Sequence, residues 1–282
     1  MSHIDDQLHR VFCIISDHRV FASKSPTVFN RVMTKIGLNA TYVPFRVEAK
    51  HLGEAVRSLK ILNIAGANIA VPYKEAMIPY IDALSESANI IGAINTIAIN
   101  GGQLKGYNTN AIGIMEALEE TAFNPAGKKA LILGAGGAAK AVAFVLKWLK
   151  AEQIFIAGRN TAKTKNVAGR VRGTPMSLED LANNPVPAHL IVNATTVSSR
   201  AESREMAELV EKMDVPGCEL VFDLNYGRAP NIWETLAKGA NIRFMDGLPT
   251  LIHQARNSLS LWTGVDVNPE DFKNALTGRV LS

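Results

Sequence analysis

Lys129–Lys150 reads KALILGAGGAAKAVAFVLKWLK. Its first residues form an apolar run short enough for a buried strand. Gly134, Gly136 and Gly137 then supply a tight turn, and the remainder carries apolar residues at helical spacing. Strand, glycine turn and helix in that order make the first unit of a dinucleotide-binding sheet. Small residues at the turn let backbone N–H groups and a helix N-terminus approach a pyrophosphate. Ala139 stands where the third glycine of such a turn would be. Glycines alone also mark plain turns, so the flanking strand and helix carry the argument. Lys140, Lys147 and the glycines exclude a membrane span for this window.

The next strand, QIFIAG, bears on the choice of cofactor. An NAD site places an acidic residue near its end to hold the ribose 2′-hydroxyl. Here the strand runs into Gly158, Arg159 and Asn160, with Lys163 and Lys165 close behind and no carboxylate. Arg159 offers a planar fork for a 2′-phosphate, which favours NADP; a solvated surface cation is the plainer account of the same residue. Farther along, AHLIVNATT, CELVFDLNY and NIRFMDG are short apolar strands ending in Gly, Asn, Thr or Asp. EMAELVEKM and PNIWETLAKG read as helices between them. In an open parallel sheet that edge is where ligands bind.

Upstream, strand and helix signals also alternate. VFCII, ATYVPFRVE and GANIAV read as strands, and PTVFNRVMTKIG, HLGEAVRSLKIL and PYKEAMIPYIDAL as helices. This predicts an α/β layer with mostly parallel strands. NTIAINGGQLKGYN predicts a hairpin turning at Asn100-Gly101-Gly102, followed by GYNTNAIG at a helix start. LPTLIHQARNSLSLWTG and NPEDFKNALTG read as two closing helices. At 282 residues, two domains are expected.

Hydrophobic content of 47%, charged content of 20% and a net charge of +4 describe an ordinary soluble protein. No Lys/Arg run or aromatic-basic stripe points to nucleic acid. Cys13 and Cys218 lie in strand-like runs and read as buried, reduced thiols without metal-ligand spacing. MSHIDDQLHR carries charges where an export signal needs an apolar core, so a cytoplasmic location is expected.

Two further stretches suggest a substrate side. SKSP (Ser23–Pro26) joins a strand to a helix, where hydroxyls and a helix N-terminus suit an anion; a helix cap by Ser25 explains it as simply. Lys74, in VPYKEA, is placed at a predicted helix start, unfavourably against the helix dipole.

SKSP, GAN-x-x-VP-x-KE, GAINT, NT-x-x-x-G, GAGGAA, GRN, NAT and DG-x-x-x-L-x-x-Q, in this order and over nearly the whole chain, resemble the shikimate dehydrogenase family. The resemblance implies an α/β substrate domain (1–108, completed by the helices of 249–282), a Rossmann-type doubly wound parallel sheet for NADP (109–248), and a cleft between them. It implies reversible hydride transfer between NADPH and the ring ketone of 3-dehydroshikimate, or a related cyclic carboxylate, by a monomer or homodimer. Ser23 and Ser25 would hold the carboxylate, Lys74 would be the acid/base group, and Asn95 and Gln254 would meet ring hydroxyls. Tyr226 counts with the substrate residues beside the nicotinamide end. The cofactor set implied is Gly134, Gly136, Gly137, Ala138, Arg159, Asn160, Lys163, Thr195 and Gly247, with no metal.

The chain also departs from that pattern. The family loop NTDG, whose Asp partners the Lys, reads NTNA here, so Asn110 replaces the carboxylate. Ala70 stands for a Thr, Phe29 for a His or similar residue, SDHRVFA for G-N-P-I-x-H, and NATTVSS lacks the usual S-x-G-M. Asn110 still hydrogen-bonds but supplies no charge, which lowers the expected pKa of Lys74 and points to altered specificity or weakened catalysis. A ligand-binding regulatory paralogue is the alternative.

Overall fold

The computed structural model describes residues 9–278, so most of the charged amino-terminal stretch read against export (residues 1–8) lies outside the described residues. The chain divides into two compact units, Met1–Ile112 with Ile252–Ser282, and Gly113–Leu251.

The first unit contains β1 (Arg10–Ser16), α1 (Ser25–Lys35), β2 (Ala40–Arg46), α2 (Leu52–Ile61), β3 (Gly66–Ile69), β4 (Ala83–Leu84), α3 (Glu86–Ile91), β5 (Thr96–Asn100) and β6 (Gln103–Tyr107). They build a sheet of order β2-β1-β3-β5-β6-β4. β1 pairs in parallel with β2 and β3, but β5 is antiparallel to both β3 and β6. The sheet is therefore mixed, though β4 is parallel to β6 and most pairings are parallel, as expected. The cause is the hairpin, which turns at Gly101 and Gly102 with φ of 56° and 79°, a geometry glycine adopts freely.

PYKEAMIPYIDAL does not form the expected helix. Residues 74–77 are turns, Ile78–Tyr80 is one turn of 3-10 helix, and Ala83–Leu84 joins the sheet edge. Pro79 lacks an N–H, and proline in a helix interior breaks the hydrogen-bond ladder. α3 was not anticipated, although Ser85 caps it by accepting from the Ala88 N–H and Gly92 ends it in the left-handed region.

The chain leaves the first unit in α4 (Thr109–Glu120). The second unit alternates β7 (Lys129–Leu133), α5 (Gly137–Trp148), β8 (Gln153–Ala157), α6 (Thr161–Val171), β9 (Thr174–Met176), α7 (Leu178–Asn183), β10 (Leu190–Asn193), α8 (Arg204–Lys212), β11 (Leu220–Asp223), α9 (Ile232–Gly239) and β12 (Arg243–Met245). All pairings in its sheet are parallel, in the order β12-β11-β10-β7-β8-β9. Leu131, Ile191 and Val221 are fully buried, as strands covered on both faces require. The order reverses between β7 and β10, so the carboxyl ends of those two strands mark the ligand-binding position of such a sheet.

α10 (Leu248–Thr263) and α11 (Pro269–Thr277) return to the first unit. There Trp262 stacks on Phe12 with ring centroids 4.9 Å apart and donates from Nε1 to the Ile97 carbonyl at 2.9 Å. Both cysteines are free thiols. Cys13 is buried, which pushes its pKa up to about 12, while Cys218 is only partly buried, short of the full burial expected.

Candidate active site

Asn95 organises the first unit's polar residues. It lies just before β5 with its side chain buried. Its Oδ1 accepts from the Thr109 backbone N–H at 2.7 Å. Its Nδ2 donates to Thr109 Oγ1 at 2.8 Å, to Gln254 Oε1 at 2.8 Å and, more weakly, to Asn110 Oδ1 at 3.3 Å. Residues far apart in sequence thus meet around one amide. GYNTNAIG is also an ordinary helix start, because Asn108 caps α4 by accepting from the Ala111 N–H at 3.2 Å.

Below Asn95 lies a buried hydroxyl and amide cluster. Tyr42 donates to Asn68 Oδ1 at 2.7 Å, and Asn68 Nδ2 reaches the Asn95 carbonyl, Thr96 Oγ1 and Ser258 Oγ, each at 3.1 Å. A buried polar network with its members satisfied fixes side-chain orientation. Sequence reading assigned no role to Asn68, Thr96 and Thr109, although they stand in the motifs GAN, GAINT and NT, and it passed over Ser258. The motifs mark the first three, but that they share one hydrogen-bonded cluster with Ser258 is visible only once the fold brings them together.

Lys74 lies beside this group through its backbone, its carbonyl accepting from the Ile94 N–H at 2.8 Å. It starts no helix, so the dipole argument made for it lapses. Desolvation replaces that argument, lowering its pKa to about 8. Among the described residues no carboxylate pairs with it, and neighbouring Glu75 is exposed.

Ser23 and Ser25 flank the start of α1. Ser25 is not the helix cap; it is the first helical residue, and its N–H is received by Ser23 Oγ at 3.2 Å. Phe29 is fully buried and stacks on Tyr42 with centroids 4.4 Å apart, so it belongs to the aromatic core.

In the second unit, β7 runs into Gly134, whose φ is +117° and whose side of the turn is closed: a Cβ there would sit 2.8 Å from the Ala194 carbonyl oxygen. At Gly136 a Cβ would meet nothing within 4 Å, and no side chain caps α5. The start of α5 is therefore uncapped and the space beside Gly136 is open, as an anion site needs. Arg159 and Lys163 are exposed near the end of β8 and take no part in salt bridges among the described residues. Asn160 caps α6 through the Lys163 N–H at 2.9 Å. The residues present thus suit a phosphorylated dinucleotide.

Thr195, after β10, donates to Asn193 Oδ1 from Oγ1 at 2.7 Å and from N at 3.1 Å. The buried Asp223 accepts from Asn193 and Asn231, each at 2.8 Å, fixing the loop that leads to Tyr226. Gly247 has a packing reason: a Cβ would overlap the Leu224 carbonyl oxygen.

Family comparisons agree with this arrangement. Residues 15–97 match the shikimate dehydrogenase substrate binding domain, and residues 116–246 match the shikimate / quinate 5-dehydrogenase domain. The NADP(+) shikimate dehydrogenase of Desulforamulus reducens is 38% identical over 92% of this chain and 91% of its own. The chain belongs to the shikimate dehydrogenase family. Among solved family structures, that of Aquifex aeolicus superposes with a TM-score of 0.84 at 29% identity, covering 95% of this chain and 97% of its own. The Thermus thermophilus enzyme in complex with NADP(H) and shikimate gives 0.83 at 30% identity, with coverages of 96% and 100%. The fold also serves a 5-ketofructose reductase of Gluconobacter, at a TM-score of 0.79 and 25% identity over 97% of this chain and 100% of its own.

Proposed function

We propose that this chain is an NADP-dependent dehydrogenase that interconverts the ring ketone and alcohol of a carboxylated cyclic polyol, with 3-dehydroshikimate and shikimate as the first pair to test. Lys74 carries the reading. A desolvated lysine of pKa about 8, joined through its backbone to the strand end bearing Asn95, can take or return a proton near neutral pH. Asn95, Asn110 and Gln254 orient the ring, and Ser23 and Ser25 receive the carboxylate. Gly136, Gly137 and Ala138 take the pyrophosphate, and Arg159 with Lys163 the 2′-phosphate. Gly134, Asn160, Thr195 and Gly247 shape the loops around the cofactor, with Tyr226 at the nicotinamide end. The nicotinamide, when bound, supplies or accepts the hydride. The units correspond in this reading to a substrate domain and a cofactor domain, acting in the cytoplasm as monomer or homodimer.

The test is the initial rate of NADP reduction with shikimate, for the wild type and Lys74→Ala. A loss of at least about a hundredfold is expected for the removal of an acid/base group. Turnover that survives the substitution overturns the role of Lys74.

One observation favours a second reading, a weakened enzyme kept as an NADP- and ligand-binding regulator: Lys74 has no carboxylate partner among the described residues. NADP binding without turnover of any polyol acid would favour it. Substantial wild-type turnover would remove it.

A further inference from the structure

The orientation of three amides is decided by one backbone group. The Thr109 N–H can only donate, so the Asn95 atom facing it at 2.7 Å is the oxygen. The other atom is then the Asn95 amide nitrogen, which only donates. Its partners on Gln254 and Asn110 must therefore be oxygens, at 2.8 Å and 3.3 Å. Both side chains are only partly buried, and no hydrogen bond engages either amide nitrogen among the described residues. The N–H groups are what Asn110 and Gln254 have left to offer a ligand.

We propose that Asn110 is a specificity-determining residue that offers a ligand N–H donors alone, selecting a group that accepts without having a proton to give (a carbonyl oxygen) over a hydroxyl. A carboxylate here would do the opposite, receiving a hydroxyl proton. A hydroxyl can still accept from Asn110, but its own proton then needs a partner that this residue cannot supply. This rests on the reading of the pocket as a site for a cyclic ketone and its alcohol.

Asn110→Asp isolates the point at a pH of about 6, where Lys74 is an ammonium with or without the new carboxylate. The new carboxylate keeps an oxygen toward Asn95 and replaces only the outward N–H group by a second acceptor. Ligand charge cancels if affinities are compared as a ratio, because 3-dehydroshikimate and shikimate carry the same carboxylate. The measurement is the dissociation constant of each, by calorimetry on the full chain without cofactor. Relative to the wild type, the preference for ketone over alcohol should move toward the alcohol by about tenfold or more in Asn110→Asp, the scale of one buried hydrogen bond. Asn110→Ala, which removes the donor without adding an acceptor, should lose preference for the ketone and stands in should the Asp variant fail to fold. Ratios within about threefold across all variants, with both ligands binding, overturn the role of Asn110 while leaving the pocket's assignment intact. If neither compound binds the wild type while NADP does, the assignment falls and this inference with it.

Discussion

In the acid/base role proposed for Lys74, the rate depends on which protonation state is populated. Alcohol oxidation needs the neutral amine to receive the hydroxyl proton, whereas ketone reduction needs the ammonium to donate one. With a pKa of about 8, the rate of shikimate oxidation should rise with pH and level off above about 8, and reduction should fall over the same range. Asn110→Asp brings a carboxylate toward the site, which favours the ammonium, so both midpoints should move upward. Profiles of kcat/KM in both directions check this, and midpoints unmoved by the variant would separate Asn110 from the lysine. The low pKa also has a stability cost. An unfolded lysine holds its proton more tightly than the folded one, so the ammonium weakens the fold below about pH 8. That cost is relieved as pH rises from about 8 toward the ordinary value of 10.5. Sequence alone anticipated a lowered pKa here, but for the missing carboxylate; the structure adds desolvation. Phe29 and Ala70, equally visible as departures, differ in kind. Phe29 is core, while Ala70 keeps only backbone bonds, its N–H donating to the Ile15 carbonyl and its carbonyl accepting from the Tyr73 N–H, each at 3.0 Å.

At the scale of elements, the glycines of the second unit divide into those that packing requires and those it does not. Gly247 approaches the Leu224 carbonyl so closely that any side chain collides with backbone, whereas Gly136 faces empty space. Gly247→Ala should therefore lower stability by several kcal/mol, roughly the severe end of single substitutions. Gly136→Ala should melt within a few degrees of the wild type and yet weaken NADP markedly, because the added methyl occupies room the pyrophosphate would use. Thermal melts beside NADP titrations separate the two effects; a Gly136→Ala protein with unchanged NADP affinity would place the cofactor elsewhere. The βα turn that holds Gly136 was legible because period, turn chemistry and helix onset agree within a few residues. The hairpin at Gly101-Gly102 was legible for the same reason. PYKEAMIPYIDAL was not, since its apolar spacing suits a helix while Pro79 forbids one. The antiparallel pairing of β5 with β3 was also hidden, because the direction in which the hairpin joins the sheet follows from connections that no local pattern encodes.

For the whole molecule, chain order and unit order differ. The second unit is one continuous segment, but the first needs its closing helices, which arrive only after the second has been synthesised. Trp262 is the main tie. Its indole stacks on Phe12, leans on Phe29 at 5.5 Å and covers Gly66, where any Cβ would strike the ring. Lys35 pairs with Asp271 at 2.9 Å, and Arg31 donates to the Ala275 carbonyl at 2.6 Å, fastening α11 onto α1. The same α10 delivers Gln254 and Ser258 to the Asn95 cluster, so packing and the proposed ligand site share one helix. Trp262→Ala should cost about 3–5 kcal/mol, as large aromatic truncations do in a core. Because the loss is confined to the first unit, shikimate affinity should fall steeply while NADP affinity holds, and calorimetry should show an early transition that the wild type lacks. Loss of both affinities together would mean that the units do not fold separately. An unchanged shikimate affinity would mean that the Asn95 cluster is held in place without α10's aromatic anchor.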